Sequence, residues 1–155
     1  MRNELDKFMR EFKERVENLP NVEKVEFFGS ITTSAWIRGK SDVDVIVYGD
    51  NIPAKVKREI ILILRDLNEK YDLKLEKVRC CHPTPFFLDS PLRRQLFREM
   101  VSGHKALIEL GREWCKESAP TYGEIWAMED SIKGLEDVLP PLPIPKLSEI
   151  FDKFR

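Results

Sequence analysis

The sequence predicts an α+β domain: a small mixed β-sheet with helices packed on it, then a C-terminal helix and a proline-rich tail. Apolar residues recur at helical spacing over 2–19 and 53–70 and alternate at strand spacing over 22–28 and 42–48. The two kinds of segment take turns, helix, strand, short helix, strand, helix, strand, helix, along the first 110 residues. The chain of 155 residues suits one domain with an appended element. We expect a domain over 1–110 and an extension over 111–155, packed on that domain or on a partner.

The first helix, "RNELDKFMREFKERVENL", sets Leu5, Phe8, Met9, Phe12, Val16 and Leu19 on one stripe with charges opposite. The strand "VEKVEFF" ends at Gly29, and "SITTSAWI" is expected to form a short helix capped by Ser30. After the loop "RGKS", "DVDVIVY" is the second strand, with Val43, Val45 and Val47 entering the core. Pro53 suits a first helical turn, and Val56, Ile60, Ile63, Leu64 and Leu67 face inward from the helix that follows. "DLKLEKVRC" (72–80) alternates as a third strand, with Asp72, Lys74 and Glu76 on one face. "DSPLRRQLFREMV" reads as a helix with Leu92, Leu96 and Met100 as its apolar edge. "KALIEL" (105–110) is ambiguous and is read as a short strand, with Gly103 and His104 in a turn before it. Thr121 and Glu124 form a capping box ahead of an apolar stripe, and "LPPLPIPK" must be extended.

Composition narrows the function. Hydrophobic residues are 42% and charged residues 34%, with a net charge of −1, so a surface that coats long nucleic acids is not expected. No apolar run reaches membrane-spanning length. Cys80, Cys81 and Cys115 are an odd count suited to a reducing cytoplasm, and with His82 they match no zinc spacing. Arg93, Arg94 and Arg98 read as a solvated helix face beside Asp89 and Glu99.

The informative stretch is "FFGSITTSAWIRGKSDVDVIVYGD". Asp42 and Asp44 fall on one face of a strand and repel unless something positive lies between them. They are hard oxygen donors suited to Mg²⁺, with two such ions expected. Across eleven intervening residues, Gly29 leaves room for a phosphate at the strand-to-helix turn, and the Ser30 hydroxyl can donate to it.

"FFGS" followed by "SDVDVIV" resembles the signature of the DNA polymerase β-type nucleotidyltransferase superfamily, and the early motif in a short chain is similar to its minimal nucleotidyltransferases. The resemblance covers about residues 24–80 and extends loosely to about 110. It implies a nucleotidyltransferase fold and Mg²⁺-dependent transfer of a nucleoside monophosphate from ATP or another NTP to an acceptor hydroxyl. It also implies a third carboxylate beside Asp42 and Asp44. Glu76 matches that position, in place of the usual aspartate, and Asp72 on the same face is the substitute. Minimal members carry arginines just after Gly-Ser, whereas this chain has none before Arg38. Triphosphate contacts would then come from Ser30, Ser41, Arg38 or Lys40. By the same resemblance the acceptor is a tyrosine of a HEPN-type toxin, the chain acting as antitoxin. The alternatives are a catalytically degenerate protein-binding module, which would hold its partner or a second copy through the C-terminal helix, and an RNA-end polymerase, which size and charge disfavour.

Overall fold

The computed structural model describes residues 2–78 and 85–109. The chain divides into two compact units, residues 1–79 with 84–91 and residues 80–83 with 92–155. The first holds helix α1 (Arg2–Glu17), strand β1 (Val22–Phe28), a 3₁₀ turn (Gly29–Thr32), strand β2 (Asp44–Gly49), helix α2 (Ala54–Lys70), a second 3₁₀ turn (Leu75–Lys77) and strand β3 (Phe86–Leu88). Of the second unit, the described part is helix α3 (Pro91–Glu109).

The sheet order is β1-β2-β3. Strand β1 is antiparallel to β2, with Phe28 opposite Asp44, and β3 is parallel to β2, with Ile46 opposite Phe86. The sheet is therefore mixed, as expected. Central position explains the unbroken apolar run of β2: Val45, Ile46 and Val47 are all buried because both faces of the strand are covered.

Helix α1 buries Leu5, Phe8, Phe12 and Val16. Its Phe8 and Phe12 rings meet Phe27 of β1 edge-on, with centroids 6.0 and 5.7 Å apart. Each such side chain contributes about 1.5–3 kcal/mol by leaving water. At the end of α1 the Glu17 carboxylate accepts the Val25 N–H at 2.8 Å, satisfying a donor that the outer strand could not pair with another strand. Helix α2 starts after Pro53 and buries all five residues expected to face inward.

Three expectations are corrected. Residues 72–78 are not a strand. Asp72 and Lys74 adopt left-handed backbone (φ +49° and +56°), and Asn68 organises the turn, its Oδ1 accepting the Leu75 N–H and its Nδ2 donating to Glu76. A short polar side chain bonding nearby backbone competes with a ladder, so the alternation of Leu73 and Leu75 does not make a strand. The third strand is instead the three-residue segment Phe86–Leu88, too short to alternate. Second, residues 105–109 continue a helix: α3 runs through Gly103 and His104 to Glu109, so there is neither a turn nor a strand over those residues. Third, Arg93 is buried rather than solvated, and Leu92 is exposed. Cys80, Cys81, His82 and the whole of 110–155 lie outside the described residues.

One charged pair lies inside the first unit. Lys57 and Asp89 are both buried, with Nζ 3.1 Å from Oδ2, and Lys57 also lies over the Phe87 ring. Asp89 Oδ2 accepts the Ile52 N–H and its carbonyl accepts the Asn51 N–H, so this residue pins the β2–α2 loop to the end of β3. Removing one partner of such a pair leaves a charge in low dielectric. Asp89→Ala is expected to lower unfolding free energy by about 3–5 kcal/mol in urea titrations. Combining it with Lys57→Met should recover part of that loss, because the Lys57 charge is then no longer stranded.

Candidate active site

Where β1 ends, the chain must turn at once to leave the face that Asp44 occupies. Gly29 makes that turn with φ +71°, and a Cβ there would collide with Asp44 Oδ2. The backbone of the Gly-Ser turn and the Asp44 carboxylate are thus in direct apposition, because Phe28 pairs with Asp44 across the strands. The two pieces of the motif, separated by eleven residues, converge.

The turn itself is smaller than expected. It is a single 3₁₀ turn of four residues in which Ser30 is an internal residue, not the cap; Phe28 holds the cap position without a side-chain bond. Thr32 Oγ1 donates to the Gly29 carbonyl and Thr33 Oγ1 to the Ser30 carbonyl, both at 2.8 Å. From α1, Arg2 Nη1 donates to the Ile31 and Thr33 carbonyls at 2.7 and 3.1 Å. So short a helix has little dipole to offer an anion.

Asp42 precedes β2. Its carbonyl accepts the indole N–H of buried Trp36 at 3.0 Å. Asp44 is half-buried, and its carboxyl is raised from 3.8 to about 7, first by burial and second by the charge of Asp42. A divalent cation between two hard-oxygen donors would offset both causes, so the residues present fit Mg²⁺. Ser41 closes the loop, its Oγ accepting the Ile37 N–H at 2.9 Å. That bond leaves the hydroxyl proton of Ser41 for a donor role.

Glu76 does not join the pair. It is exposed in the 3₁₀ turn after α2, and its carboxyl is held below the usual range, chiefly by the Asn68 amide. Among the described residues no group of three or more His, Cys, Asp or Glu stands together as a metal cluster. Asp72 is likewise turned to other work, 3.8 Å from Arg38. Asp89, at the end of β3, follows the residue opposite Tyr48, about 16 Å along the sheet from the level of Asp44 at 3.3 Å per residue. Arg38 is not poised for a triphosphate either. Its guanidinium donates to the carbonyls of Tyr71 and Asp72 and to Glu4. The loop anchors Trp36 and Arg2 were not singled out from the sequence; an indole or guanidinium bonding backbone carbonyls leaves no periodic trace.

Two outcomes follow from the Gly29–Asp44 contact. Gly29→Ala should cost at least about 1–2 kcal/mol for the left-handed backbone, and displacement of Asp44 should weaken Mg²⁺ binding further; thermal melts and metal titrations check both. The pH outcome has a definite sign. Asp44 binds its proton more tightly folded than unfolded, so it weakens the metal-free fold progressively from about pH 4 to pH 7 and fully above that. Ionising it at its folded position costs on the order of 4 kcal/mol. In EDTA, Asp44→Asn should therefore match the parent near pH 4 and exceed it in stability at pH 8, by as much as that amount. Equal stability at both pH values would contradict the burial and repulsion described.

Comparison with known proteins agrees with this geometry. A family model described as "Nucleotidyltransferase domain" matches residues 5–101. Searches among curated proteins and among solved structures find no significant match. The matched span includes the whole Gly-Ser turn, both aspartates and the three strands. With the Gly29 turn set against Asp44 and with Asp42 beside it, the chain belongs to the nucleotidyltransferase domain family.

Proposed function

We propose that this protein transfers a nucleoside monophosphate from an NTP, ATP foremost, to an acceptor hydroxyl. The acceptor oxygen forms a bond to the α-phosphorus, the bond from that phosphorus to the β-bridging oxygen breaks, and pyrophosphate leaves. The hydroxyl proton passes to a carboxylate oxygen or to water. Asp42 and Asp44 would hold Mg²⁺, which supplies charge neutralisation of the triphosphate and of the departing pyrophosphate. Gly29 lets the phosphates approach the backbone, and the Ser30 and Ser41 hydroxyls donate to their oxygens. The observation that carries the reading is the apposition of the Asp44 carboxylate and the Gly29 turn.

The finer assignment comes from the resemblance rather than the site: the acceptor is a tyrosine on a HEPN-type toxin, and this chain is its antitoxin. Residues 111–155 would then serve as the extension that meets the partner or a second copy. A different reading is favoured by two observations: Glu76 stands apart from the aspartates, and Arg38 is engaged with carbonyls. In that reading the fold is kept, catalysis is lost, and the protein acts as a binding module.

Incubation with α-labelled ATP, Mg²⁺ and a HEPN-type candidate separates the two. Nucleotidyl transfer predicts label on the candidate, lost by about 10²-fold or more in Asp42→Ala and in Asp44→Ala. Complex formation that survives both substitutions, with no label on any component, establishes the binding module instead. Glu76→Ala measures the third carboxylate: a loss as large as that of Asp44→Ala gives it a part in the reaction, and unchanged transfer removes it.

A further inference from the structure

Asp42 lies two residues before the ladder that secures Asp44, yet in the proposed reaction both carboxylates must face one cation. Strand pairing begins at Asp44, opposite Phe28, so regular sheet bonding does not locate Asp42. What does locate it is the loop before it. Buried Trp36 donates its indole N–H to the Asp42 carbonyl at 3.0 Å. The next residue begins a closed turn in which the Ile37 carbonyl accepts the N–H groups of Lys40 and Ser41 at 3.1 and 2.8 Å, while its own N–H goes to Ser41 Oγ.

The far side of this turn is fastened by Arg38. One guanidinium nitrogen donates to the carbonyls of Tyr71 and Asp72, where the chain leaves α2, and the other donates to Glu4 on α1 at 3.2 Å. The Tyr71 hydroxyl donates to Glu11 Oε1 at 2.8 Å, so the anchor point is itself tied back to α1. Arginine suits this role because its rigid fork serves several acceptors at once, which an ammonium does not do in fixed geometry.

We propose that Trp36 and Arg38 are positioning residues: a two-point clamp that fixes the Asp42 backbone and so presets the distance between the two carboxylates. Arg38, in the stretch where a phosphate-binding arginine was expected, serves the metal site from behind rather than the triphosphate from in front. The clamp is a property of the fold; its consequence for metal affinity rests on the nucleotidyl-transfer reading.

The test uses the full chain with Trp36→Phe, which keeps the aromatic body and removes the donor, and Arg38→Gln as a second variant should the first fold poorly. Phe12→Leu, in the α1 core away from the loop, controls for general destabilisation. Amide hydrogen exchange is read at Lys40 and Ser41, with Val45 and Val47 of β2 as the internal reference. The clamp predicts exchange about tenfold faster at Lys40 and Ser41 relative to β2 in both loop variants, and no such relative change in Phe12→Leu. Acceleration no greater than that of β2 overturns it. Mn²⁺ alone, followed by electron paramagnetic resonance, should bind about fivefold more weakly to the loop variants than to the control. Equal Mn²⁺ affinity in parent and loop variants overturns the positioning role even if exchange changes. A parent chain that binds no Mn²⁺ overturns the positioning role, while label transfer from ATP still decides the nucleotidyl-transfer reading and exchange still decides the clamp itself.

Discussion

The arrangement depends on one close approach: the carboxylate of Asp44 against a backbone with no side chain at Gly29. Cross-strand pairing of Phe28 with Asp44 forces these groups to one level of the sheet. Any residue with a Cβ at position 29 would have to displace the carboxylate. The site is therefore dictated by strand register, and register is held by burial on both faces of β2, since a slip of one residue would turn Asp44 into the core and a valine out of it.

That approach has an electrostatic cost. A half-buried carboxylate beside a second one resists ionisation. A structure that depended on Asp44 only for stability would be better served by an uncharged residue. The chain belongs to a nucleotidyltransferase domain family, and in the proposed reaction a divalent cation and a polyphosphate would bring opposite charges to the pair. In that proposal, the cost of ionising the pair and its affinity for a cation would be two views of the same repulsion.

The fold was legible in the sequence wherever a helix or strand was long enough to show its period. Leu5, Phe8, Phe12 and Val16 of the α1 stripe, the five inward residues of α2 and the valines of β2 fall as their spacing required. Legibility failed where a few side-chain bonds decided the outcome. Asn68 turned an alternating segment into a 3₁₀ turn, and Phe86–Leu88 became the third strand on the strength of three residues and its pairing with β2. For the site, the glycine and the two aspartates announced themselves through their chemistry. The supports did not, because Arg38 read as a candidate phosphate ligand and Trp36 left no periodic trace.

These two kinds of failure share a cause that bears on how the site works. Residues that bind a charged ligand and residues that brace a loop can be the same types, since both need donors that reach. What separates them is where the acceptors already lie. Arg38 finds two backbone carbonyls and a carboxylate within the protein, and once they are satisfied its charge is no longer offered to a ligand. In the proposed reaction, the cation accompanying the nucleotide's phosphates would bring positive charge to Asp42 and Asp44. On that account the protein supplies geometry and negative charge, the nucleotide complex supplies the counter-charge, and neither half is comfortable without the other.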